Sequence, residues 1–431
     1  MLETIKNAWK VADLRKKILF TLFIILIFRI GSVIPVPFID VAQLRSSMSG
    51  TENQLFSYLS ILTGGGLEYG AIFAMSVTPY INSSIIMQLL AVAIPYLERL
   101  SKEGEEGQKK IAQYTRYATV ILGLIQGTAY FFYLKGSGFL TVRGTGARWF
   151  AGFVIVLCFT AGSALVMWLG EQIDVKGIGN GISMLLFAGI ISRAPQAAAG
   201  LWAWLGMPGA RGKIVAIVTV LLFLIIVAFI VWMTNAERRI PVMYAKRVVG
   251  NKMYGGQNSH IPIKVNMSGV MPIIFASSIL MVPTMILSFM TDKTTSFAKI
   301  LNLFSVQGAF YAVIYFIMII GFAYFYTTIQ FNPVEMANNL RRNGGSVPGI
   351  RPGKPTSDFI QKILSRITLM GALFLSVIAI LPIFLAMIGE GEFASISIGG
   401  TSVLILVGVA LDTVQNLESQ MMMRHYKGFL D

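Results

Sequence analysis

Residues 213–233 read K-I-V-A-I-V-T-V-L-L-F-L-I-I-V-A-F-I-V-W-M, and Thr219 is the one uncharged residue among them outside the apolar set. About twenty apolar residues at 1.5 Å rise per residue cross a hydrocarbon core about 30 Å thick. Nine further apolar runs lie near 18–34, 75–94, 114–134, 149–169, 178–194, 268–289, 309–330, 367–388 and 398–417. A span in lipid must satisfy its own backbone hydrogen bonds, so helix is the default for each. A transmembrane β-barrel would show short alternating segments, and none are visible. Composition agrees: 55% of the 431 residues are hydrophobic and 13% are charged, against about 25% charged in soluble domains. The expectation is an all-α membrane protein with ten transmembrane helices.

The charges orient it. With the N-terminus in the cytoplasm, the cytoplasmic segments hold 25 of the 35 Lys and Arg and 13 of the 20 Asp and Glu. That bias is the positive-inside pattern, and it predicts both termini on the cytoplasmic side. The first seventeen residues end in Arg15-Lys16-Lys17, and no small-residue cleavage site follows the first run, so that run is expected to be an uncleaved span. Cys158 is the single cysteine, which excludes a disulfide or a thiolate cluster within the chain.

Ten spans divide after the fifth into residues 1–194 and 195–431. The first half starts inside and the second outside, so a structural repeat between them has to be inverted. Two long polar stretches, within 234–266 and 331–366, lie on the expected cytoplasmic face. The loop 35–74 is too long for a tight connection and carries an apolar run, Leu55 to Leu62, followed by Thr63-Gly64-Gly65-Gly66. Eight residues cannot span. This piece reads either as a surface helix packed on the bundle or as a re-entrant segment with the glycines as its hinge.

Enzyme chemistry finds no foothold. Both histidines, His260 and His425, fall on the expected cytoplasmic side, and no H-E-x-x-H or G-x-S-x-G occurs. The stretch Gly349 to Pro355 lacks the spacing and the Ser or Thr of a phosphate loop, and Gly177 to Gly181 follows no strand. No cofactor and no metal are expected. Ion coupling would need charges at depth, and Arg29 and Asp412, both readable as helix-end residues, are the candidates. A carrier for a neutral solute and a scaffold that recruits partners through basic loops stay open at this level. The second run is the most polar: it holds Pro79, Asn82, Ser83, Ser84 and Gln88, which suit interhelical hydrogen bonds or a water-facing surface. Val77 and Ile81 share a helix face, as do Ile182 and Leu186; pairs of this kind ordinarily mean packing.

At these residues the chain resembles a known family. Ile72 to Leu90, and Trp168-Leu169-Gly170-Glu171-Gln172 through Gly177 to Ser183, resemble two signatures of the SecY family, channel subunits of the general protein translocase. Phe28 to Ser32, Tyr244 to Arg247, Lys264 to Asn266, Ile274 to Ser278, Phe331 to Pro333, Val347 to Gly353 and Gly399 to Ser402 follow in the family's order. One departure is Ser76, where the family pattern has Gly; it is expected to bear on helix packing.

The resemblance implies two inverted five-helix halves around an hourglass pore with a short re-entrant plug helix. The pore would be closed by an aliphatic ring of Val77, Ile81, Ile182, Leu186, Ile274 and Ile405. It places a plug over 55–67, including Leu55, Phe56, Leu59, Ile61, Leu62, Gly64, Gly65 and Leu67. It places a lateral gate at Asn82, Gln88, Ser278 and Val282, where preprotein signal sequences leave for the lipid bilayer. The basic loops, with Arg238, Arg239, Lys246, Arg247 and Lys252 in one and Arg341, Arg342, Arg351 and Lys354 in the other, would dock the ribosome or the SecA motor ATPase. Small membrane subunits of the SecE and SecG type are the remaining implied partners. The implied activity is passage of unfolded preproteins across the cytoplasmic (inner) membrane.

Overall fold

The computed structural model describes residues 8–48, 64–142, 144–206, 210–244, 247–249, 252–254, 258–289, 301, 303–304, 308–388 and 400–427. All ten apolar runs fall on helices. Seven helical stretches among the described residues, two of them made of consecutive helices, are long and apolar enough to cross a bilayer: Glu105–Gly136, Thr145–Lys176, Gly181–Leu205, Gly212–Asn235, Ala309–Arg342, Lys354–Leu381 and Ser402–Met422. An eighth is counted if Thr78–Ala93 and Pro95–Lys102, bent by 101° at Ile94, make one span. The first run is helical over Ala12–Gly31, yet Arg15, Lys16, Lys17 and Arg29 leave a short uncharged stretch between them. Charge, not length, keeps it out of the count.

The chain forms two compact units. The first comprises Met1–Val220, Met281–Val306 and Ile405–Asp431; the second comprises Leu221–Leu280 and Gln307–Leu404.

The first unit holds α1 (Ala12–Gly31), α2 (Val41–Met48), α3 (Thr78–Ala93), α4 (Pro95–Lys102), α5 (Glu105–Gly136), α6 (Thr145–Lys176), α7 (Gly181–Ile191) and α8 (Ala194–Leu205). Helices α5 and α6 lie side by side because small residues let their backbones approach. A Cβ on Gly123 would sit 2.9 Å from the Ser163 hydroxyl, and one on Gly127 would sit 3.6 Å from Phe159. Below them, Tyr130, Phe131, Leu134, Ile155 and Phe159 share a core with Val36, Ile39, Leu44, Leu67, Ala74 and Met75. The loop 35–74 is thus packed at both ends. Asp40 accepts from the backbone of Ala42 and Gln43 at the start of α2, and Pro35 bridges to Ala71. The apolar piece expected to decide between surface helix and re-entrant segment lies outside the described residues, as do Leu55, Phe56, Leu59, Ile61 and Leu62.

Helix α3 corrects one detail. Pro79 was expected inside the second span, but the helix begins at Thr78 and places Pro79 in its first turn. There the missing N–H is not needed and the fixed φ suits the start of a helix. Ser76, two residues before the helix start, has φ +48. The glycine of the family pattern therefore answers to backbone conformation here: a left-handed φ costs a Cβ-bearing residue and not glycine.

The second unit carries what an all-α reading missed. Strands β1 (Glu237–Tyr244), β2 (Arg247–Val249), β3 (Lys252–Tyr254), β4 (Asn258–Lys264) and β5 (Gly345–Ser346) accompany α11 (Ala309–Gln330), α12 (Pro333–Arg342), α13 (Lys354–Ile388) and the part of α10 (Met271–Phe289) that precedes Met281. Helix α9 (Ala210–Asn235) enters this unit at its second half, and α14 (Gly400–Lys427) leaves it. The three-stranded sheet runs β4-β1-β5, with Ile240 opposite Ile261 and Met243 opposite Ser346. It packs on α12 and α13 through Ile240, Val242, Ile263, Leu340, Val347, Ile360 and Leu364. The two polar stretches that read as separate loops are therefore one folded body. Its signal was present in the sequence: Ile240 and Val242, like Ile261 and Ile263, alternate with polar or proline positions, a period of two.

Candidate functional site

The residues expected to line a pore occupy helix starts and helix interiors. Val77 caps α3 and is 1% exposed; Ile81 follows one turn later, its N–H on the Val77 carbonyl at 3.0 Å. Ile182 stands in the first turn of α7, close against Gly170 of α6, and Leu186 follows on the same face, buried. The short turn before α7 is fixed by side chains: Asn180 accepts from Ser183 N at 3.0 Å, and Asp174 accepts from Gly181 N at 2.7 Å. Ile405 is buried on α14. Two turns further along, Thr413 contacts Met184 at 3.4 Å, which ties α14 to α7. Ile274, in the second unit, is buried in the first turns of α10, where the neighbouring Phe275 packs edge-on against Phe322 and Tyr326 of α11. All six positions are aliphatic, and four of the six are buried while Ile81 and Ile182 are half-buried.

The expected gate residues sit on two helices. Asn82 and Gln88 are half-buried on α3, where Gln88 donates to the Ser84 hydroxyl at 3.2 Å. Ser278 is half-buried on α10, and Val282 is exposed there. Of the plug positions, Gly64, Gly65 and Leu67 are described. Gly64 and Gly65 have φ of +64 and +89, and Leu67 is buried.

The basic residues gather on the second unit. Arg238 and Arg239 are exposed on β1, with Arg239 paired to Glu237 at 2.6 Å. Arg341 and Arg342 are exposed in the last turn of α12, whose start is capped by the Asn332 side chain accepting from Val334 and Glu335. Arg351 and Lys354 are exposed at a turn bounded by Gly349 (φ +79) and Gly353 (φ +104). Arg247 and Lys252 lie on the β2–β3 hairpin; Lys246 lies outside the described residues. Both loops thus contribute cations to one small domain, a juxtaposition the sequence reading did not foresee.

Among the described residues, no group of His, Cys, Asp or Glu could hold a metal ion. The chemistry offered is physical: aliphatic positions at helix starts, and a cationic surface. A family sequence model described as SecY matches residues 71–414. The chain belongs to the SecY family. The protein translocase subunit SecY of Streptomyces coelicolor is 43% identical over 443 residues, covering 100% of both chains. That of Mycobacterium tuberculosis is 42% identical over 446 residues, again end to end. The fold is shared with solved channels at much lower identity. A structure described as a protein conducting channel has a TM-score of 0.66 at 17% identity, covering 94% of this chain and 92% of that one. Sec61 in a canine ribosome–channel complex has a TM-score of 0.61 at 17% identity and the same coverage. This SecY-family chain is accordingly a multi-pass, channel-forming translocase subunit and not an enzyme.

Proposed function

We propose that the chain moves unfolded preproteins outward across the cytoplasmic (inner) membrane and releases apolar segments sideways into lipid, driven by a cytoplasmic partner. In this reading ten spans form two inverted halves, 1–194 and 195–431, with both termini cytoplasmic. Val77, Ile81, Ile182, Leu186, Ile274 and Ile405 form the constriction. A dry aliphatic girdle resists ions by dewetting and offers a sliding polypeptide no strong binding. Residues 55–67 block the idle pore, and Asn82, Gln88, Ser278 and Val282 border the exit for signal sequences.

What carries this reading is the end-to-end likeness to translocase subunits; the aliphatic character of the six ring positions agrees with it. The cationic body formed by β1, β4, β5 and α12 supports a docking role toward rRNA phosphate or an acidic protein face, as in a ribosome or a SecA-type motor. Nothing in the chain resembles a nucleotide site, so energy comes from that partner. SecE- and SecG-type subunits complete the proposed assembly. Ion conductance in planar bilayers tests the pore: deletion of residues 55–67 is expected to turn a tight membrane leaky, with wide and poorly selective currents. If both proteins stay silent and no preprotein opens them, the pore assignment fails.

A further inference from the structure

The turn between α5 and α6 departs from the charge rule that orients the rest of the chain. From Gly107 to Gly170 there is no Asp or Glu, yet this turn and its edges hold Lys135, Arg143 and Arg148. Under the proposed orientation the turn faces outward, the side on which Lys and Arg are ordinarily sparse. Lys135, in the last turn of α5, sets its Nζ over the Trp149 ring of α6, 4.5 Å from the centroid, and is half-buried. Arg148, at the start of α6, is exposed. The turn itself is fixed: Leu140 bridges to Ile39, and the Thr141 N–H donates to the Phe38 carbonyl at 3.1 Å. A Cβ added at Gly136, Gly138, Gly144 or Gly146 would meet nothing within 4 Å, so there is open room around the two cations. Asp40, whose N–H pairs with the Phe139 carbonyl, turns its carboxylate to Ala42 and Gln43 instead. Trp149, Phe153 and Leu157 recur every four residues, so they share one face of α6, and all three are exposed.

The plain alternative is that a lysine at a span end reaches for water and a tryptophan marks the interface. Two observations go further. A lysine seeking water would extend into it, whereas Lys135 lies over an aromatic face, which fixes its charge at the head of the apolar stripe. Generic anchoring also needs no excess of charge, yet the cations gather here without an acid on the side that disfavours them. A cationic head on an exposed apolar stripe complements an anionic headgroup on an acyl chain.

We propose that Lys135, Trp149 and Arg148 form a binding site for an anionic phospholipid of the outward leaflet, its phosphate met by the two cations and an acyl chain lying along Trp149, Phe153 and Leu157. The proposal rests on the orientation given above and not on the pore assignment.

The test is native mass spectrometry of the full chain in detergent, titrated with phosphatidylglycerol or with phosphatidylcholine of the same acyl chains. Lys135→Gln and Arg148→Gln are each expected to lower the affinity for the first phosphatidylglycerol about fivefold, the factor one cation contributes beside an anionic headgroup. Phosphatidylcholine binding should not change. Lys135→Arg should keep the preference, because a guanidinium also stacks on an aromatic ring. Melting without lipid should stay near wild type in every variant, while the rise in melting temperature on adding phosphatidylglycerol should shrink with each lost cation. Equal affinity of the wild type for the two lipids overturns the proposal and leaves the face to another occupant, such as a small membrane subunit. Phosphatidylglycerol binding that survives loss of both cations, or that falls as much in Arg341→Gln, overturns it as well. Sidedness is read separately: Thr145→Cys in a Cys158→Ser chain should react with an impermeant maleimide from the outward side of sealed vesicles. Reaction from the cytoplasmic side alone overturns the orientation, and with it the leaflet, whatever the lipid titration shows.

Discussion

Ser76→Gly should stabilise this protein. Ser76 combines three observations: φ is +48, the residue is 1% exposed, and its hydroxyl has no hydrogen-bond partner among the described residues. A left-handed φ costs a non-glycine residue about 1–2 kcal/mol, of which glycine returns roughly 0.5–1 through its greater freedom when unfolded. A buried hydroxyl left unpaired costs about 1–3 kcal/mol. Removing one buried carbon forfeits about 0.8 kcal/mol of burial. The balance favours glycine by roughly 1–2 kcal/mol, which is about a five- to thirtyfold change in an equilibrium constant. Unfolding of a polytopic protein is commonly irreversible, so the assay is the lifetime of native fluorescence in mild detergent at a fixed elevated temperature. Ser76→Ala provides the control, since it removes the hydroxyl and keeps the Cβ. Glycine should outlast alanine, and alanine should outlast or match serine. If glycine proves no better than alanine, the backbone argument is wrong. If both are shorter-lived than serine, the hydroxyl does useful bonding and the desolvation argument fails as well.

Loss of the Asn332 cap is expected to loosen α12, since its side chain accepts from the Val334 and Glu335 backbone; Asn332→Ala should cost about 1 kcal/mol, read as faster proteolysis at 333–342. Reversing Arg341 and Arg342 to Glu should weaken binding of a purified ribosome or motor several-fold at low salt, with the difference shrinking as salt screens the surface. Unchanged affinity with an unchanged salt slope would remove these two from the docking surface.

Much of the membrane architecture was legible because spans demand long uninterrupted apolar runs, and all ten runs are helical. Boundaries were less so. Pro79 looked internal because hydropathy continues through Ala74 and Met75, whereas the helix starts after the left-handed Ser76. The sheet was missed because β1 and β4 each carry a proline among charged or polar residues, and β5 is two residues long and far away in the sequence; pairing across the chain, not local propensity, makes them strands. Of the site, the positions on α3 and α7 could be found through family motifs alone, since an aliphatic pair one turn apart is indistinguishable from packing. Arg29 drew attention as a charge within a span, but its partner at Gly64 is a tertiary fact that no local pattern encodes.

Helix α13 begins directly after the glycine-bounded turn that carries Arg351 and continues without a break for 35 residues. At 1.5 Å per residue that is about 52 Å, some 20 Å more than a hydrocarbon core requires. The excess makes the helix a handle. Its outer portion is gripped by the sheet and α12 through Ile360 and Leu364, so a load applied at Arg351 or Lys354 is borne by a stiff rod and not absorbed in a slack loop. A partner of the kind proposed, bound at that tip, would therefore push on a helix that continues past the sheet and not on a slack loop.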